Sequence, residues 1–170
     1  TLEHNFLLGN VPDVMAGLKK YGIIINVTPG HLGRVSALID IYGEQVRSFV
    51  MPVKTWIRDG QRVTFESAGS DFWTPIYTLV TRRARWRSDE WVELLPEEGI
   101  DRVTALKMAT TWASEYMLAE DTIGTLEPGK FADFAVLDRD FFTIPVAEIL
   151  EVKVVLTGLG GQIIYDEERI

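Results

Sequence analysis

The sequence predicts an α/β protein with a parallel sheet in its first half. Apolar strand-like segments alternate with helix-like segments through residues 1–65, an order typical of parallel strands joined by helices. Residues 23–27 (IIINV) are mostly apolar and β-branched, which is typical of a strand buried on both faces. After Gly124 the pattern changes to short strands and turns, which predicts a second, β-rich region.

In the first half, helices are predicted between the strands. Residues 10–22 form the first of them, with Asn10 as the expected N-cap, Pro12 in the first turn and Gly22 as the C-terminal stop. Helical spacing follows over residues 35–42, and residues 50–59 end at Gly60. Residues 62–65 are predicted to be the next strand.

The second half begins with helical patterns and ends with strands. Residues 73–83 predict a short helix, residues 85–99 a loop, and residues 100–118 the longest helix, with Asp101 as its cap. Strands are expected at residues 131–137, 152–157 and 162–165, with a turn at 158–161. These strands need a partner sheet, because a few short strands alone are marginally stable.

Composition narrows the class of partner. The formal net charge is -8 and cysteine is absent. The charge disfavours nucleic acid and anionic membranes as partners, and disulfides and thiolate metal sites are excluded. No apolar run is long enough to span a membrane and no signal-peptide pattern begins the chain, so a cytoplasmic protein is expected. The start without methionine, inside a strand, suggests a cleaved, split or trimmed polypeptide.

Residues 124–133 (GTLEPGKFAD) resemble the closing motif of metal-dependent amidohydrolases, in which an apolar strand and an aspartate follow. Here the strand is residues 134–137 and the aspartate is Asp138. Residues 152–157 and 160–165 are similar to the last two strands of that superfamily, and the chain is most similar to the branch called amidohydrolase family 3. In the family this motif belongs to a small β-sandwich and carries no chemistry.

The resemblance extends upstream. Leu2-Glu3-His4 resembles the sixth strand of the family's (β/α)8 barrel, residues 23–29 the seventh, and residues 59–65 the eighth. It therefore implies a partial TIM barrel, strands six to eight, in residues 1–122, and the C-terminal share of a composite β-sandwich in residues 123–170. A second polypeptide would carry strands one to five, with the family's H-x-H pair and lysine, so an oligomer is expected.

Two residues are the candidate metal ligands. His4 would lie at the carboxyl end of a barrel strand, where neutral imidazole can bind a zinc-type metal; the alternative is a structural histidine. Asp71, in a tripeptide that resembles the one after strand eight, would bind the metal and act as the catalytic base. Three residues, Glu66, Ser67 and Ala68, lie between the predicted strand and that tripeptide, and a β-bulge could absorb them. A strict count from Phe65 instead places Ala68 at the aspartate position. Glu66 is therefore an alternative carboxylate.

Other polar and aromatic residues have two interpretations each. His31 lies in a Gly-rich turn after a strand and Trp73 lies near the barrel mouth, so both are candidates for binding a small-molecule substrate; the alternatives are a surface histidine and a core tryptophan. Residues 82–87 (RRARWR) are basic and aromatic, as in nucleic-acid sites, but a solvated helix end is favoured. Thr1 as an N-terminal nucleophile is disfavoured by its place in a strand.

The resemblance implies a metal-dependent hydrolase, with zinc as the expected metal and a non-peptide C–N bond, such as an amide, urea or carbamate, as the target. The alternative is a non-catalytic subunit that scaffolds or regulates its partner. The irregular spacing before Asp71 favours that alternative. A nucleic-acid-binding module is the third and least favoured interpretation.

Overall fold

A computed structural model describes residues 2–67, 69, 71–85 and 90–169. The first half contains helices and strands in alternation, in the order α1 (Pro12–Lys20), β1 (Ile25–Val27), α2 (Val35–Tyr42), α3 (Val53–Arg58) and β2 (Val63–Phe65). The second half contains α4 (Trp73–Thr81), β3 (Arg83–Ala84), β4 (Val92–Glu93), α5 (Arg102–Ala109), α6 (Thr111–Tyr116), β5 (Phe134–Leu137), β6 (Val154–Leu159) and β7 (Gln162–Asp166). Short 3-10 helices are found at Pro29–Arg34, Glu44–Phe49, Pro96–Glu98, Val146–Glu151 and Glu167–Arg169.

Three parallel segments lie side by side in the first half. Strand β1 pairs with β2 in parallel, with Ile25 opposite Val63. Leu2 forms a parallel bridge to Ile25 on the other side of β1. The predicted parallel arrangement is confirmed, and the carboxyl ends of the three segments meet at one edge of the sheet.

The predicted start of α1 is wrong by one residue. Val11, in extended conformation, occupies the N-cap position, and no side chain caps the helix. Proline suits the first helical position, so Pro12 at the start of α1 leaves Asn10 one residue too early to cap it. The end is as predicted, with Gly22 at a φ of 60° just after the last turn.

The long helix predicted at residues 100–118 is two helices. Thr110, with φ −126° and ψ −87°, separates α5 from α6. The Thr110 hydroxyl donates a hydrogen bond to the Leu106 carbonyl at 2.7 Å, and such bonds compete with the helical backbone. The cap prediction is confirmed, because the Asp101 carboxylate accepts a hydrogen bond from the Thr104 amide at 2.8 Å.

A buried arginine joins two layers of the fold. Arg82 ends α4 in the left-handed conformation and is 1% exposed. Its guanidinium donates hydrogen bonds to the carbonyls of Val50, Met51 and Leu94 at 3.0–3.1 Å. Burial lowers the pKa of Arg82 to about 10, and the carboxylates of Glu98 and Glu97 act in the opposite direction. The guanidinium stays charged at neutral pH and ties β4 to the segment before α3.

Strands β5, β6 and β7 form a separate antiparallel sheet. Phe134 lies opposite Gly158, and Leu159 opposite Gln162 across the tight turn at Gly160 and Gly161. Large apolar side chains of this sheet are exposed, among them Val136, Ile163 and Ile164. The need for a partner sheet stays a prediction. Among the helices in the described part of the chain, none is long and apolar enough to cross a membrane.

Candidate functional site

Polar residues follow the three parallel segments directly. His4 comes after Leu2, Thr28 after β1 and Glu66 after β2, so all three lie at the carboxyl edge of the sheet. His4 Nδ1 lies 3.0 Å from Glu66 Oε1. The Thr28 hydroxyl donates a hydrogen bond to the same carboxylate oxygen at 2.5 Å. This group of three, the His4 cluster, is the best candidate for a functional site.

The polar face continues one layer deeper. Asn26 and Thr64 are each two residues before Thr28 and Glu66, so they point to the same face of their strands. The Asn26 amide donates a hydrogen bond to the Thr64 hydroxyl at 3.0 Å, and both side chains are buried. This second bridge connects β1 to β2 two residues before the His4 cluster.

Backbone contacts hold the segments around His4 and Glu66 in place. Glu66 donates its amide to the Val27 carbonyl at 2.9 Å. Beyond His4, the Asn5 amide and the Asn5 side chain both donate to the Asn26 carbonyl at 3.0 and 2.9 Å. His4 itself has a positive φ of 56°, a backbone conformation that is uncommon for residues other than glycine.

The structure places His31 beside the cluster. Its amide donates to the Thr28 carbonyl at 3.0 Å, and its ring makes an edge contact with Phe6, 5.7 Å between centroids. Burial, followed by the charges of Arg34 and His4, lowers the pKa of His31, while Glu66 opposes this. His31 is therefore neutral near pH 7. Its predicted role in substrate binding stays a prediction.

Asp71 is engaged at the start of α4. Its Oδ1 accepts hydrogen bonds from the Trp73 and Thr74 amides, both at 2.8 Å, and its Oδ2 accepts from the Thr74 hydroxyl at 2.6 Å. Burial raises the pKa of Asp71, but the hydrogen bonds from Thr74 and Trp73 outweigh burial and lower it overall. The carboxylate is an ionised helix cap. Ala68, which a strict count places at the aspartate position, lies outside the described residues, as does Ser70, which precedes Asp71.

Trp73 is packed in the core. It is 7% exposed, and its ring stacks at a tilt on Phe141, with 5.3 Å between centroids, and meets Phe72 edge-on at 5.0 Å. These contacts agree with the core alternative. Its predicted place in a substrate pocket stays a prediction.

The donor types of the His4 cluster suit a zinc-type cation in part. An imidazole nitrogen and a carboxylate oxygen are both common zinc ligands. However, within residues 2–67, 69, 71–85 and 90–169 no three His, Asp or Glu side chains lie close enough together to hold an ion. His4 and Glu66 alone can therefore supply only part of a metal site.

The motif at residues 124–133 is structural. Gly124 has a φ of 94°, and a β-carbon there would come within 2.8 Å of Ser114 Cβ. Asp133 accepts a hydrogen bond from the Gly160 amide at 2.7 Å, and Ala132 accepts one from Gly161 at 3.1 Å. The motif thus joins α6 to the turn between β6 and β7. It lines a groove of about 460 Å³ against α5 and α6.

The basic cluster at residues 82–87 is divided between interior and surface. Arg82 is buried on backbone carbonyls, so it cannot reach a phosphate. Arg85 lies over the Trp91 ring at 5.2 Å. Residues 86–87 lie outside the described residues.

Comparison of the sequence with known protein families shows which family this chain belongs to. The sequence profile of the amidohydrolase family matches residues 1–165, nearly the whole chain. The chain belongs to the amidohydrolase family. The resemblance seen in residues 124–133 is thereby confirmed. Among curated relatives, an adenine deaminase of Rubrobacter xylanophilus is 30% identical over 73 residues, which are 43% of this chain and 11% of the deaminase.

Two solved structures of metal-dependent hydrolases are similar to this chain in fold. An uncharacterised metal-dependent hydrolase from Pyrococcus furiosus is 26% identical, with a TM-score of 0.62 over 81% of this chain and 28% of that one. A second, from Pyrococcus horikoshii, is 23% identical, with a TM-score of 0.70 over 85% of this chain and 30% of that one. The chain thus spans less than a third of the length of these two structures.

Sequence reasoning missed Thr28 altogether. It gave Glu66 only as an alternative to Asp71, whereas the structure brings Glu66, and not Asp71, into contact with His4. A signal was present: Thr28 and Glu66 are the first polar residues after two buried strands, and such positions on parallel strands meet at one edge. The resemblance to the family's tripeptide directed attention to Asp71 instead.

Proposed function

We propose that this chain supplies part of the active site of a metal-dependent hydrolase that cleaves non-peptide C–N bonds in small molecules. The observation that carries the proposal is the His4 cluster, in which an imidazole and a carboxylate lie 3.0 Å apart at the carboxyl edge of a parallel sheet. Active sites of α/β barrels lie at this edge. Membership of the amidohydrolase family and the likeness to a metal-dependent hydrolase support it.

In this proposal His4 holds a divalent cation. Zinc is the first cation to test, because imidazole and carboxylate groups are common zinc ligands. Such a cation, when bound, polarises a carbonyl and makes water a stronger acid. Asp71 is the proposed second ligand and proton acceptor, fixed in direction by its bonds to Thr74 and Trp73. His31, neutral and half-buried beside the cluster, helps to orient the substrate. The Trp73 amide donates a hydrogen bond to Asp71 Oδ1 and so helps to hold that carboxylate.

The finer architecture is also a proposal. The three parallel segments correspond to strands six to eight of a (β/α)8 barrel, and β5–β7 to one share of a β-sandwich. The first five barrel strands, with the remaining metal ligands, come from outside the described residues, and we propose a second polypeptide as their source. An open parallel sheet with unpaired edges is a site for such pairing.

Asp71 can be tested against a matched control within the same chain. Asp101 caps α5 as Asp71 caps α4: its carboxylate accepts from the Thr104 amide at 2.8 Å and hydroxyl at 2.7 Å. Asparagine caps helices about as well as aspartate, so D71N and D101N should cost little stability. Turnover of an amide or urea substrate by the complete assembly should fall at least about 100-fold in D71N and stay near native in D101N.

Equal turnover in D71N and D101N would remove Asp71 from the chemistry. The same assay on E66Q then shows whether the carboxylate beside His4 takes that role. A loss in E66Q at saturating zinc, with none in D71N, would move the base to Glu66.

A non-catalytic subunit is the second candidate function. Two observations favour it: the described residues hold no three-donor group, and Asp71 is engaged as a helix cap. The discriminating observation is the partner's sequence, because a partner without an H-x-H pair and a barrel lysine would leave no complete metal site.

A further inference from the structure

The Glu66 carboxylate connects His4 to a buried hydroxyl. Thr28 is 2% exposed, and its hydroxyl donates to Glu66 Oε1 at 2.5 Å. The same oxygen lies 3.0 Å from His4 Nδ1. The Glu66 backbone is held by Val27, so both ends of this side chain are fixed before it meets the imidazole.

The contact decides which imidazole nitrogen carries the proton. A carboxylate oxygen can only accept hydrogen bonds, so a neutral His4 satisfies it by protonating Nδ1. In water a neutral histidine prefers the proton on Nε2, and the partner of one nitrogen sets the state of the other. With the proton on Nδ1, the lone pair is on Nε2, which lies on the far side of the ring from Glu66.

We infer that Glu66 is a positioning residue that holds His4 in the Nδ1–H tautomer and leaves Nε2 as the nitrogen that binds the cation, with Thr28 fixing the carboxylate. The inference rests on the proposed function, because it assigns Glu66 a role toward the same cation. Carboxylates in this position orient histidine ligands and raise their basicity. Glu66 then lies behind the ligand and does not itself bind the metal.

Nitrogen NMR of the metal-free protein tests the tautomer directly. The chain has two histidines, so the H31Q variant assigns the His4 signals in one step. In its neutral form, reached by raising the pH until the imidazole signals stop shifting, native His4 should show the Nδ1–H tautomer as its major form. E66A should return the major form to Nε2–H.

The matched control is E115A. Glu115 has the same 34% side-chain exposure as Glu66 and pairs with Arg62 at 3.1 Å instead of with a histidine. It should leave the His4 tautomer unchanged. T28V is the second variant, in case E66A does not fold, and it should give a mixture of the two tautomers because Glu66 loses its anchor.

Zinc titration on the complete assembly separates the outcomes. Zinc should bind His4 through Nε2 with Nδ1 still protonated, and E66A should weaken zinc binding about 10- to 100-fold. A native Nε2–H tautomer, an unchanged tautomer in both E66A and T28V, or zinc on Nδ1 would each overturn the inference. A native Nδ1–H tautomer with no zinc on His4 would keep the tautomer assignment and refute the proposed function instead.

Discussion

At the residue scale, identical local geometry can belong to different roles. Asp71 and Asp101 each accept an amide and a hydroxyl from a threonine three residues later. Sequence reasoning assigned one as the catalytic base and the other as a cap, and the structure shows capping contacts in both. The catalytic role of Asp71 stays a proposal that rests on its place in the chain after β2, and the D71N and D101N pair measures whether the two carboxylates differ.

The same scale shows why the His4 cluster was only partly predictable. Thr28 and Glu66 are 38 residues apart in sequence, and their contact depends on the register of β1 against β2. All three residues of β1 are buried, and a strand buried on both faces lacks the alternation that sets a register. His4 was a candidate because Leu2-Glu3-His4 resembles the family's sixth strand, and this signal does not depend on knowing which residue His4 contacts.

Arg82 offers a prediction about stability. In R82M, the buried carbonyls of Val50 and Leu94 lose the Arg82 donor, whereas the Met51 carbonyl keeps the Val53 amide at 2.8 Å. Each unsatisfied group costs about 1–3 kcal/mol, so the free energy of unfolding should fall by about 2 kcal/mol or more, measured by urea denaturation of the assembly. R83M is the control, since Arg83 is an exposed neighbour and surface changes stay within about 0.5 kcal/mol. Similar losses in the two variants would mean that the Arg82 bonds do not stabilise the fold.

At the element scale, most helices and strands followed from periodicity, and the errors were at their ends. The sequence pattern placed α2 at residues 35–42, as found. It joined α5 and α6 into one helix because the apolar spacing continues across Thr110, while the break comes from a side-chain hydrogen bond that spacing does not reveal. Strand β5 starts at Phe134 and not at Phe131, because Phe131 instead bonds back to Thr122.

Two glycines in residues 124–133 allow the cost of backbone strain to be measured apart from the cost of overpacking. Gly124 and Gly129 have nearly equal φ values of 94° and 96°, but only Gly124 has α6 against it; nothing lies within 4 Å of a β-carbon at Gly129. Both alanine variants carry the strain of positive φ, about 1–2 kcal/mol. G124A should lose at least about 1 kcal/mol more than G129A, because overpacking adds to the strain.

Thermal or urea unfolding of the two variants provides the comparison. Equal losses would show that α6 shifts freely, and the motif would then not join α6 to the antiparallel sheet.

At the scale of the whole molecule, the fold described here leaves apolar surface uncovered on β5–β7 and leaves the parallel sheet open. Val136, Ile163, Ile164 and Leu159 are exposed on the antiparallel sheet. Two-layer packing is what normally covers such faces. The family resemblance predicts a partner for both sheets, and this stays a prediction, whereas composition alone, with 46% apolar residues, is that of an ordinary globular domain.

The size of the particle in solution follows from this. We expect the chain to be found in an assembly with the polypeptide that completes the barrel and the sandwich. Light scattering during size-exclusion chromatography should give a mass well above 19.2 kDa. A stable, folded particle of 19.2 kDa that stays monomeric at high concentration would contradict the proposed partner.

The central claim is that His4 holds the cation of a metal-dependent hydrolase. Zinc affinity of the complete assembly, measured by calorimetry on the native protein, H4Q and H31Q, tests it most directly. The account predicts that H4Q weakens zinc binding by more than about 100-fold, beyond the loss expected for an orienting residue, while H31Q binds zinc as the native protein does. Native zinc affinity in H4Q, or no zinc binding by the native assembly, would contradict the account.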